Sequence, residues 1–253
     1  MPMAYTPKPD LLAGRVILIT GAGEGLGKAA ALACAAHGAT LVLLGRTVPK
    51  LEALYDTIVV AGQSEPAIYP MDLLGADARH HEELAERVAG EFGHLDGLLH
   101  SAAQLGTLAP IDYYDPRRWL ETLQVNLNAP FFLTRACLPL MKKSPDASIL
   151  FTSDAVGRKG HAYWGAYSVS KFGIEGLTQI LAEELEGFPA MRVNSLDPGP
   201  ARTHLRATAY PGENPQTLPH PETLMATYLF LLGPDSRGVS GQAFQAQVEA
   251  VHG

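Results

Sequence analysis

The stretch "RVILITGAGEGLGKAAALACAAHG", residues 15–38, decides the fold. After the leading arginine comes a short apolar, β-branched run, then the glycine-rich "TGAGEGLG" from Thr20 to Gly27, then an alanine-rich segment with helical character. Glycines permit a tight turn and let the backbone approach a pyrophosphate, which the positive end of the following helix attracts. Strand, glycine turn and helix in that order open a βαβ unit. The spacing is not G-x-G-x-x-G, because Leu26 stands three positions after Gly23. It is not a Walker A loop either, because Ala29 follows Gly27-Lys28.

Working outward, further apolar runs alternate with helix-like segments: "TLVLLG" (40–45), "AIYPMD" (67–72), "LDGLLH" (95–100), "ASILFT" (147–152), "MRVNSL" (191–196) and "QAFQAQ" (242–247). Continuously apolar strands are those of a parallel sheet covered on both faces. The expectation is an α/β fold, a single-domain Rossmann-type doubly wound parallel sheet flanked by helices, with residues 1–253 forming one dinucleotide-binding and catalytic domain. The Pro- and Gly-rich tract 198–221 is expected to be a substrate loop, since so long a connection in a compact domain usually has a function.

Composition narrows the function classes. The 253 residues carry a formal charge of -7 without a Lys/Arg cluster, so no nucleic-acid partner is expected. No apolar run approaches the roughly 18 residues of a membrane span, and the N-terminus does not read as a signal peptide. Two cysteines, Cys34 and Cys137, without C-x-x-C spacing fit a reducing cytoplasm. The run His80-His81-Glu82-Glu83 is read as a solvated helix face, and no metal site is expected. His161 and His204 sit near loop segments and are read as surface loop histidines, with contact to substrate as the other reading.

The T-G-x-x-x-G-x-G form of the turn resembles that of the short-chain dehydrogenases/reductases, and the resemblance extends over nearly the whole chain. It implies that Gly21, Glu24, Gly25, Leu26, Gly27 and their neighbouring amides hold a dinucleotide diphosphate, and that Asp72 lies beside the adenine. Taken by itself, Asp72 is equally a helix N-cap. In "HSAAQ", Ser101 stands where the family has asparagine, while Ala102 and Ala103 stay small enough for close cofactor approach. "MRVNSLDPGPARTHL" is similar to the segment whose backbone near Pro198 and Gly199, with the Thr203 hydroxyl, contacts the nicotinamide end. "PDLLAGR", "LLGR", "VGRKGHAYWGAY" and "PGPARTHLRA" resemble a bacterial subgroup, the YciK type.

The end of the second strand, "LVLLGRT", has Arg46 and no acid to bind a ribose 2'-hydroxyl. An arginine pairs with a 2'-phosphate, so NADP(H) is favoured and NAD(H) remains possible. Glu24 argues the other way, by repelling that phosphate or tying up Arg46.

Tyr167 and Lys171, four residues apart, share one helix face. An ammonium beside a phenol lowers its pKa from about 10 toward working pH, as a general acid/base requires. The resemblance makes Tyr167 the proton carrier, gives Lys171 the nicotinamide ribose as well, and assigns Asn126 to the proton path. A polar residue relieving a helix bend is the other reading of Asn126.

The family's serine falls thirteen residues before the tyrosine, where this chain has Asp154. Three readings follow. Asp154 is protonated and donates to the substrate oxygen; or neighbouring Ser153 replaces it through a bulge; or Asp154 is ionised, paired with Lys171, Arg158 or Lys159, and opposes a developing alkoxide. Tyr163 and Trp164 are expected to line the pocket or to pack an interface.

The expected function is an NAD(P)(H)-dependent oxidoreductase interconverting a small-molecule carbonyl and an alcohol. The alternative is a cofactor-binding protein with impaired or no turnover because of Asp154. The resemblance further implies a homodimer or homotetramer.

Overall fold

The computed structural model describes residues 5–247. All seven strands join one parallel sheet in the order β3-β2-β1-β4-β5-β6-β7. They are β1 (Val16–Thr20), β2 (Thr40–Gly45), β3 (Ala67–Pro70), β4 (Gly97–His100), β5 (Ala147–Thr152), β6 (Met191–Asp197) and β7 (Ala243–Gln245). Each lies within the apolar run that predicts it, apart from Asp197 of β6, one residue beyond "MRVNSL".

The continuous apolarity of β1 has a direct cause. Ile17 and Ile19 pack into a core shared with α1 (Gly25–Ala36), α2 (Val48–Val60) and α8 (Met225–Leu232), whereas Val16 and Leu18 face the core of α3 (Ala78–Phe92), α5 (Ala129–Met141) and α6 (Gly165–Glu184). Both faces are covered, so alternation disappears.

Strand order reverses between β1 and β4, and a crevice opens there at the carboxyl ends of the strands. Thr20 Oγ1 closes its floor by accepting from the Ser101 and Ala102 amides at 3.0 and 3.1 Å. Between α4 (Pro116–Leu123) and α5 the helix widens into a π-turn, Gln124–Asn128, that carries Asn126. The 198–221 tract is partly helical: α7 spans His204–Ala209, and 3-10 turns cover Pro215–Thr217 and begin again at Pro221.

Two expectations near α3 need correction. Asp77, not Asp72, caps the helix, in a capping box with His80. The Asp72 carboxylate instead accepts the Leu74 amide at 3.1 Å in a local turn. The histidines do not form a solvated face, because His81 is fully buried against Phe132 while only His80 is exposed. Positions i and i+1 diverge by about 100° on a helix, enough to send one ring inward.

Candidate active site

The crevice is a cleft of about 1250 Å³ that runs from the glycine turn to Tyr167 and Lys171. At the dinucleotide end, Gly21 and Gly25 adopt φ +67° and +56°, a region that side chains disfavour. A β-carbon on Gly21 would also lie 2.8 Å from Ala102 Cα, and one on Gly27 would run into the Gly21 carbonyl. The turn is thus pressed against the β4 end and lines the cleft at the start of α1, an arrangement that fits a diphosphate. Arg46 is exposed at the end of β2 and lines the same cleft with Asp72.

Glu24 does not tie up Arg46. It pairs with Lys50 of α2, and this contact holds its carboxyl below the usual range. Among the described residues Arg46 has no ion pair, which leaves its guanidinium open to an anion. The sequence reading missed Lys50 because the pair joins the glycine turn to a different helix.

At the other end, Tyr167 and Lys171 lie on the buried face of α6. Lys171 Nζ donates to the Thr152 carbonyl at 2.7 Å and lies 5.5 Å from the Tyr167 ring. Burial lowers its pKa to about 8, opposed by the charges of Asp154, Glu175 and Asp197. The Tyr167 hydroxyl donates to Asp154 Oδ2 at 3.1 Å. Its pKa is pushed well above 10, first by burial and then by Asp154. The lowering expected from Lys171 is not found: loss of water and a carboxylate within hydrogen-bond reach both raise it.

The thirteen-residue spacing does place position 154 at the tyrosine hydroxyl. Asp154 accepts at both oxygens, Oδ1 taking the Val156 amide at 3.1 Å. It makes none of the direct pairs expected with Lys171, Arg158 or Lys159; Arg158 is engaged by Glu175 and the Phe244 carbonyl instead. Ser153 is corrected as well. Its hydroxyl faces away and donates to Glu175 Oε1 at 2.5 Å, with Ser195 on the other carboxylate oxygen. Successive residues of an extended segment point to opposite sides, and there is no bulge to reverse them.

Asn126 is buried and braces the wall. Its Oδ1 accepts the Gln104 amide at 2.8 Å, and its Nδ2 donates to the Gln104 carbonyl and to Ser170 Oγ. Ser101 and Ala103 line the cleft beside it. At the β6 end, Gly199 has φ +69°, and its amide donates to Asp197 Oδ1. The Pro198 carbonyl receives Gln247, and Thr203 caps α7 where a β-carbon on Gly25 would touch it. Trp164 lies between Tyr167 and Tyr210, with Tyr163, His161 and His204 on the same cleft. Asp197 was not singled out from the sequence; its burial, which raises its pKa, appears only in the folded chain. Among the described residues no group of His, Cys, Asp and Glu could hold a metal.

A phosphate-fitting turn and a buried Tyr/Lys pair across one crevice of a doubly wound sheet define a dinucleotide-dependent oxidoreductase. Comparison with known proteins agrees. The family model for short chain dehydrogenases matches residues 15–214. The uncharacterized oxidoreductase YciK of Escherichia coli (strain K12) is 45% identical over 245 residues, 97% of this chain and 96% of its own. A Pseudomonas syringae structure assigned to the short chain dehydrogenases is 55% identical at a TM-score of 0.95, covering 97% of this chain and 99% of that one. One from Escherichia coli CFT073, complexed with NADPH, is 46% identical at 0.93, covering 96% and 100%. The chain belongs to the short-chain dehydrogenase/reductase family and is an NAD(P)(H)-dependent oxidoreductase.

Proposed function

We propose that the protein is an NADP(H)-dependent enzyme interconverting a carbonyl and an alcohol, with Tyr167 exchanging the proton at the substrate oxygen. The observation that carries this reading is the buried Tyr167 hydroxyl beside Lys171, in the same cleft as an open Arg46. Arg46 suits the 2'-phosphate, and the NADPH held by the E. coli CFT073 relative supports that preference. The nicotinamide, when bound, supplies or accepts the hydride. Gly21, Gly25, Leu26, Gly27 and the Ala102–Ala103 backbone would hold the dinucleotide, Pro198, Gly199 and Thr203 its nicotinamide end, and Lys171 its ribose. Asn126 keeps the wall behind Lys171 in place. The 198–221 segment serves as the substrate loop over this domain.

Exposed Phe131, Val169, Phe172 and Ile180 on α5 and α6 are the kind of apolar surface that a second copy covers, and we assign a homodimer or homotetramer. Two buried free thiols suit the cytoplasm. No helix among the described residues is long and apolar enough to cross a membrane. The low number of basic residues disfavours nucleic acid.

The hydrogen bond from Tyr167 to Asp154 favours a second reading, a nucleotide-binding protein with impaired turnover. NADPH binding and turnover on a carbonyl panel separate the two. Tyr167→Phe should cost about 10²- to 10⁴-fold in turnover while leaving NADPH affinity unchanged. Binding with no turnover for Tyr167→Phe to remove would favour the second reading.

A further inference from the structure

Asp154 conflicts with the reaction as it would run on a plain ketone. Its Oδ2 lies 3.1 Å from the proton donor, beside the oxygen on which negative charge gathers in the transition state. A like charge there raises the barrier. Among the described residues none forms an ion pair with it: Lys171 Nζ is committed to the Thr152 carbonyl, and Arg158 to Glu175 and the Phe244 carbonyl. Arg206, over the Tyr210 ring, is held by both oxygens of Glu213 at 2.7 Å. With Oδ1 satisfied by the Val156 amide, Oδ2 is the oxygen left to face a substrate in the cleft.

A chain of aromatic rings begins at Tyr167, whose hydroxyl meets this oxygen. The Trp164 ring centroid lies 5.7 Å from that of Tyr167 and 5.8 Å from that of Tyr210. Ring faces attract cations, as Arg206 over Tyr210 at 3.7 Å shows, and a carboxylate in the same cleft adds a charge-assisted hydrogen bond.

Resting on the carbonyl/alcohol reading above, we propose that the substrates carry a protonated amine on the carbon next to the carbonyl, or next to the carbinol in the reverse direction, and that Asp154 binds it. The ammonium neutralises Asp154 and releases the Tyr167 hydroxyl to turn toward the carbonyl oxygen. A second N–H of the same ammonium reaches that oxygen across a five-membered ring, so the substrate supplies the donor that a hydroxyl at position 154 would otherwise supply. The carbonyl carbon accepts a hydride, its π pair moves to oxygen, and oxygen takes the Tyr167 proton. One NADPH and one solvent proton are consumed for each amino alcohol formed.

The test is NADPH-dependent reduction of two matched pairs at pH 7: aminoacetone against 2-butanone, and phenacylamine against propiophenone. Wild type should show kcat/KM at least about tenfold higher for the amino member, as expected for a close charge pair out of water. Asp154→Ser, which puts a small neutral donor there, should lose that preference and gain on the neutral ketones. NADPH titration establishes that the variant is folded. Wild-type preference for the neutral members, or a ratio that Asp154→Ser leaves unchanged, overturns the proposal while the carbonyl/alcohol reading stands. Failure of both proteins on all four ketones, with NADPH bound, overturns that reading and the proposal together.

Discussion

The two ends of the cleft are built by different means. At the dinucleotide end the shape is backbone: Gly21 against Ala102, Gly27 under the Gly21 carbonyl, positive φ at Gly21 and Gly25. At the reacting end almost everything depends on side chains, the buried Tyr167 and Lys171 and the half-buried Asp154 that accepts from Tyr167. Backbone geometry tolerates little chemical variation but is insensitive to pH, whereas a buried cluster of ionisable groups changes behaviour when one member is exchanged. An aspartate at position 154 therefore adds to what burial already does, and both push the Tyr167 pKa up.

The largest effect expected at the dinucleotide end is that of Arg46→Asp. Losing a charge-assisted contact of about 1.5–3 kcal/mol should weaken NADPH binding about 10- to 100-fold in a fluorescence titration and hardly change NADH. Equal losses for both would break the assignment of Arg46. A smaller effect, of opposite character, is expected at the reacting end. Lys171 has its pKa lowered from 10.5 to about 8, so its charge is present below that pH and lost as pH rises through it. Turnover at saturating NADPH should fall about tenfold between pH 7 and 9. A flat profile would show that the cation is not needed.

The same contrast explains what the sequence reveals. Strand positions and the glycine turn are local signals, repeated along the chain, and the β1–β7 runs and Thr20–Gly27 are legible for that reason. The spacing of Tyr167, Lys171 and position 154 is also legible, because helix and strand periods determine which residues share a face. Partners are not. Lys50 meets Glu24, Glu175 takes Ser153, and His81 turns inward only once separate elements pack. Asp72 resembles a cap until Asp77, five residues on, is seen to occupy that role. The sign of the Tyr167 shift comes from burial together with the carboxylates of Asp154 and Asp197, a three-dimensional sum with no local signature.

That sign is the central claim, and it can be read directly. Labelling tyrosines at Cζ with carbon-13 and assigning the Tyr167 resonance by its loss in Tyr167→Phe allows its titration to be followed by NMR. The structure predicts that Tyr167 remains a phenol beyond pH 10 in the wild type, and that Asp154→Ser moves its ionisation to lower pH. A wild-type Tyr167 already ionised at pH 8, or a titration that Asp154→Ser does not shift, would contradict it.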